Sequence, residues 1–142
     1  MIIDTSVLIS AIERRDAAAI AAIDSMEQLS VRSMVVLGEL TFGLQTSTAD
    51  SREIRQRTLD LYLAISDPGP LTSLDGASVA LLFGSVSAVA KAENIKVGQN
   101  DRWLVAESLF HKAPVWTSDL TMEKLLLAVA QHFDLENPGK LI

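Results

Sequence analysis

The stretch MIIDTSVLIS (residues 1–10) joins two isoleucines to a lone carboxylate, Asp4, then to the hydroxyl residues Thr5 and Ser6 and the apolar run Val7 to Ile9. An apolar pair, an acid and then a helical pattern read as a short buried strand ending where a helix begins. Ligands of open α/β sheets gather beyond the carboxyl ends of the strands, whereas Asp is also among the best helix N-caps. From this stretch alone, Asp4 is equally a cap or a ligand.

Outward from there, helical periodicity dominates. Residues 5–14 and 17–29 read as helices, the second carried by DAAAIAAIDSM with Ile20 and Ile23 on one side. LSVRS (29–33) alternates like a strand, and MVVLGELTFGLQ (34–45) is helical. TSTADSRE (46–53) is a turn and helix start capped by Asp50 or Ser51, feeding a helix through IRQRTLDLYLAI (54–65). SDPGP (66–70) is the clearest break, and residues 71–74 read as extended. A long helix follows Asp75, then a loop with room for a strand at 95–100 and a helix at 101–112. APVWTSD (113–119) is a strand with its exit, residues 121–133 are a helix, and DLENPGKLI (134–142) is a tail. No repeat or linker divides residues 1–142, which predicts one domain. Strands separated by helices predict an α/β/α sandwich around a short, mainly parallel sheet. Asp4 and Asp119, each just past a strand, should then project from the same sheet edge.

Composition narrows the function. Of 142 residues, 49% are apolar and 21% charged, a globular balance with enough chain for a core. With no cysteine, disulfides, thiolate zinc sites and cysteine nucleophiles are excluded, which suits a reducing cytoplasm. Asp4 and the charged run Glu13 to Asp16 break up the N-terminal apolar residues, against a signal peptide, and no apolar run approaches the roughly 20 residues of a membrane span. The net charge of −6 argues against binding nucleic acid through a basic surface, unless divalent cations offset it locally.

Two further acids stand out. Residues three and four positions from Glu39 are Val35, Val36, Phe42 and Gly43, so Glu39 lies on an apolar helical face, with no basic residue between Arg32 and Arg52. Asp101 shares a face with Leu104, Val105 and Leu109, and Asn100 is available to cap that helix in its place. The bland alternatives are a glutamate snorkelling outward and a first-turn acid favoured by the helix dipole. Asp75 reads simply as a cap, and Asp119 and Thr121 compete to cap the last helix. Two acids at strand exits and two on apolar faces form a pattern that capping leaves unexplained. Clustered carboxylates repel unless a cation holds them, and all-oxygen ligation suits Mg2+ or Mn2+ and phosphoryl chemistry.

The segments IIDTSVLI, VVLGELTFG, NDRWLVAESL and VWTSD, in that order across residues 2–119, resemble the PIN-domain ribonucleases, especially the VapC-type toxins of toxin–antitoxin pairs. The resemblance implies a PIN-like fold in which Asp4, Glu39, Asp101 and Asp119 bind one or two Mg2+ or Mn2+ ions, with Asp4 and Asp101 the most direct ligands. Ser6 and Thr117 match hydroxyl residues that support the carboxylates by hydrogen bonds. The match departs after Asp119, where many relatives carry another Asp or Asn and this chain has Leu-Thr-Met, leaving Glu123 as the nearest substitute. A homodimer, an RNA substrate and a cognate antitoxin are also implied.

The expected reaction is metal-dependent hydrolysis of an RNA phosphodiester, with Arg14, Arg15, Arg52, Arg55 and Arg57 as candidates to steer the backbone. The apolar helical stretches DAAAIAAI and TLDLYLAI are candidate walls for an antitoxin peptide, or simply core. Two other readings compete. A receiver-like phosphoryl-transfer domain also places acids at strand ends, but wants an acid pair near the first strand and a late lysine; Thr5 and Ser6 follow Asp4 here, and no lysine lies between Lys112 and Lys124. A degenerate domain serving as a binding module is the other, and the intact acidic quartet opposes it.

Overall fold

A computed structural model describes residues 1–142. In chain order the elements are β1 (Ile2–Ile3), α1 (Thr5–Ile12), α2 (Ala17–Asp24), β2 (Ser30–Val31), α3 (Met34–Gln45), α4 (Ala49–Ile65) and β3 (Ser66–Asp67). There follow α5 (Gly69–Thr72), α6 (Gly76–Ala92), α7 (Gln99–His111), β4 (Val115–Thr117), α8 (Leu120–Phe133) and β5 (Gly139–Leu141). Every strand pairing is parallel: β1 with β4, β4 with β5, and β2 with β3. The strands form two parallel ladders, β1-β4-β5 and β2-β3, and the Val31 N–H, donating to the Met1 carbonyl at 2.7 Å, sets β2 beside β1.

Successive strand residues point to opposite faces, and Ile2 and Ile3 are both fully buried. Helices therefore cover both faces of the sheet, as parallel sheets require. This is the helix-rich α/β architecture with a short parallel sheet that the alternation of elements predicts. The strands are only two or three residues long, so most of the core comes from helical residues such as Val7, Leu8, Val36, Tyr62, Val86, Leu104 and Leu125. No helix is long and apolar enough to cross a membrane.

Several local expectations change. SDPGP contains β3, whose register with β2 pairs Ser30 with Ser66 and Val31 with Asp67. Residues 71–74 are not extended, because Pro68 at φ −74° is already helical and starts the turn of α5. Residues 95–98 form no strand. The second helix stops at Asp24 instead of reaching Leu29, as the Ser25 hydroxyl turns back onto the Ala22 carbonyl at 2.8 Å. Thr48, not Asp50 or Ser51, occupies the cap position of α4.

The tail contains β5. Gly139 pairs with Val115 so closely that any side chain there would run into the Val115 carbonyl and the Leu126 methyl. Glycine is the residue that lets this last strand dock.

Candidate active site

Asp4 follows β1 directly and Asp119 lies two residues past β4, and the parallel pairing of those strands brings both acids to one sheet edge. Glu39 comes from the middle of α3, and Asp101 from the first turn of α7. All four acids line a single cleft of about 570 Å3, together with Thr5, Ser6, Ile9, Arg14, Ser118 and Leu120. The four acids singled out in the sequence converge in space.

Their hydrogen bonds separate capping from other roles. Asp4 occupies the N-cap position of α1 but makes no side-chain cap bond. Instead its Oδ2 accepts from the Ser6 hydroxyl at 2.5 Å and the Thr117 hydroxyl at 2.7 Å, leaving Oδ1 without a protein donor. The same hydroxyls are held from behind: the Ser118 N–H donates to Ser6 Oγ at 2.9 Å and the Asp119 N–H to Thr117 Oγ1 at 3.0 Å. Ser6 and Thr117 thus both support Asp4, and through Thr117 the support extends to the Asp119 backbone.

Asp119 does cap α8, its Oδ1 accepting from the Thr121 N–H at 2.6 Å and the Met122 N–H at 3.3 Å. The helix that Asp101 opens is preceded by Gly98 rather than capped by Asn100, and Asp101 Oδ2 accepts the Gly98 N–H at 3.0 Å. Each of these two aspartates retains one oxygen without a protein donor. Glu39 differs, because both its oxygens are held: Thr5 Oγ1 donates to Oε2 at 2.5 Å and Asn100 Nδ2 to Oε1 at 2.8 Å.

Burial pushes the Asp4 and Asp101 carboxyls above their ordinary range, and hydrogen bonds pull them partly back, from Ser6 and Thr117 for Asp4 and from Gly98 for Asp101. The nearby charges of Asp101 and Glu39 add to the rise at Asp4, and those of Asp119 and Glu39 to the rise at Asp101. The acids are therefore electrostatically coupled across the cleft.

The donor set fits a hard cation. Three carboxylates each present an oxygen that no protein donor holds, and oxygen ligands suit Mg2+ or Mn2+. No three acidic or histidine side chains stand close enough together to enclose an ion among them. Mg2+ does not need that, since it usually keeps several waters and takes only one or two carboxylates. Glu123 does not line the cleft, so it does not supply the acid that follows Asp119 in many relatives.

Of the candidate arginines, only Arg14 lines the cleft. Arg55 is paired with Glu13 at 3.4 Å and Arg57 with Glu53 at 2.6 Å, while Arg15 and Arg52 are exposed outside it. Thr5 and Asn100 are site residues that sequence reasoning missed. Their adjacency to Asp4 and Asp101 is the only local sign of them.

A third missed residue is Glu107, which is fully buried away from the cleft. It accepts from the Ser33 hydroxyl and from the Met34 N–H at 3.2 Å, fastening α7 to the first turn of α3. Residues three and four positions from it are Trp103, Leu104, Phe110 and His111, the same mismatch of an acid with an apolar face that exposes Glu39.

The PIN-domain family model matches residues 1–126. The chain belongs to the PIN-domain family. The nuclease reading of this PIN domain stands, and the receiver-like reading falls with it. No curated protein matches the chain. Three solved structures share the PIN-domain chain's fold. A chain of VapBC-1 from nontypeable Haemophilus influenzae is 18% identical, with TM-score 0.69 over 99% of this chain and 96% of that one. A chain of VapBC2 from Rickettsia felis, bound to a DNA fragment from its promoter, is 18% identical, with TM-score 0.68 over 87% and 90%. A chain of VapBC-5 from Mycobacterium tuberculosis, a toxin–antitoxin system, is 20% identical, with TM-score 0.61 over 99% and 95%.

Proposed function

We propose that this PIN domain is a divalent-metal-dependent endoribonuclease and the toxin of a toxin–antitoxin pair. The observation that carries the reading is the convergence of Asp4, Glu39, Asp101 and Asp119 on one cleft. In this reading Asp4 and Asp101 would hold Mg2+ or Mn2+ directly and Asp119 through a bound water, while Glu39, gripped by Thr5 and Asn100, ties α3 to α1 and α7. A divalent ion bound there neutralises phosphate charge and lowers the pKa of attacking water. The chain's own part is to aim Asp4 and favour its ionised form, through the Ser6 and Thr117 hydroxyls, and to place Arg14 beside the phosphate.

The likeness to VapBC complexes supports an antitoxin partner, and a homodimer in the cytoplasm belongs to the same proposal. The experiment is cleavage of total RNA by the purified chain with Mg2+ or Mn2+, with chelator, and as Asp4→Asn. Cleavage that survives both chelation and Asp4→Asn would overturn the mechanism. Mapping the new RNA ends identifies the bond that is cut.

A further inference from the structure

A second recess, of about 390 Å3, adjoins the acidic cleft and shares Glu39 with it. Its walls are Met34, Gly38 and Phe42 of α3 and Asn100 and Trp103 of α7. Phe42 is 67% exposed and Met34 50% exposed, large apolar side chains held in water at the mouth. Trp103 is oriented by stacking on Phe83, with ring centroids 4.1 Å apart and planes 18° from parallel. Gly38 adds nothing to the floor, where a Cβ would meet no atom within 4 Å.

Phe42 lies three residues after Glu39, and Trp103 three after Asn100, so each aromatic shares a helical face with a residue at the edge of the acidic cleft. Asn100 binds Glu39 through its amide nitrogen, and its carbonyl has no protein donor. The recess thus combines aromatic rings with one amide acceptor, next to the site proposed to cut RNA.

We propose that this recess takes a nucleobase of a single-stranded RNA, one nucleotide from the phosphate held in the cleft. The proposal rests on the nuclease reading for the identity of the neighbouring site. Its physical motive is the charge. A chain of net −6, with only Arg14 as a cation lining the cleft, gains little affinity from counterion release. Stacking on aromatic side chains is a source of affinity that requires no positive charge and tolerates any base.

The test uses the Asp4→Asn chain, which leaves the RNA intact, with Mg2+ and labelled oligoadenylate, read by fluorescence anisotropy. Phe42→Leu, which keeps apolar bulk and loses the ring, should weaken binding by about tenfold, the loss of one base stack. Phe42→Tyr should bind like the parent, and an abasic oligomer of equal length should be insensitive to both changes. Unchanged oligoadenylate affinity in Phe42→Leu overturns the proposal. So does an equal loss with the abasic oligomer. If Phe42→Leu instead dissociates a dimer in sedimentation while oligoadenylate affinity holds, the recess is a contact between copies and the proposal falls. Because binding is read without cleavage, a wild-type chain that fails to cut RNA but shows this ring dependence overturns the nuclease reading and leaves the base site standing.

Discussion

The Thr117 hydroxyl donates to Asp4 Oδ2 at 2.7 Å, joining two residues 113 positions apart at the ends of neighbouring parallel strands. The bond is buried, and Thr117 is fully so. Because that hydroxyl also receives the Asp119 N–H, one side chain aligns the acids from both strand exits.

Thr117→Val keeps the shape and removes the hydroxyl. It leaves the Asp119 N–H without its acceptor and Asp4 with one donor fewer, a cost of about 1–3 kcal/mol in stability. Mn2+ affinity, measured by calorimetry, should fall roughly 10–100-fold, in the range typical of lost support for a metal ligand. Unaltered affinity would show that Ser6 alone suffices to aim Asp4.

Asp4→Asn should abolish cleavage and raise Tm when no metal is added. Burial raises the Asp4 pKa, so the folded chain holds the proton more tightly than the unfolded chain does. Its favourable contribution is full below the unfolded pKa and is lost as pH rises through the raised folded one. At neutral pH the ionised group opposes folding, and the neutral amide relieves that cost. Calorimetry at pH 7 checks it, and a lower Tm would contradict the electrostatic account.

Glu107 titrates with the same sign. Burial, opposed by hydrogen bonds from Ser33 and Met34, raises its carboxyl above the ordinary glutamate range. Stability should therefore decline as pH rises from that ordinary range through the raised pKa. Glu107→Gln should flatten this segment of the Tm–pH curve; an identical slope in both proteins would assign the decline to other groups.

Gly139→Ala should destabilise the chain by about 1–3 kcal/mol, since the new methyl collides with the Val115 carbonyl and Leu126. The amides of β5, and that of Ile142 just past it, should then lose hydrogen-exchange protection before those of β1. Protection equal to wild type would mean that β5 docks without needing a bare backbone there.

Much of this molecule is legible in its residues. An acid after Ile2-Ile3, another after Val115-Trp116-Thr117, and acids on apolar faces at Glu39 and Asp101 are local patterns with direct physical costs, and all four meet in one cleft. Elements that depend on partners are harder to read. Ser66–Asp67 and Gly139–Leu141 carry no alternation of their own and become strands only by pairing with Ser30–Val31 and Val115–Thr117.

By itself, then, the sequence determined an α/β order of elements, four anomalous acids and the segments that mark a PIN domain, because burial cost and periodicity are properties of neighbouring residues. The tertiary structure decided which atoms answer which. Asp4 gives up capping for Thr117, Glu39 is gripped by Thr5 and Asn100, which lie 34 and 61 positions away, and Arg14 alone among the candidate arginines lines the cleft. Hydrogen bonds between distant segments are set by the parallel order of the strands, and no local pattern encodes them.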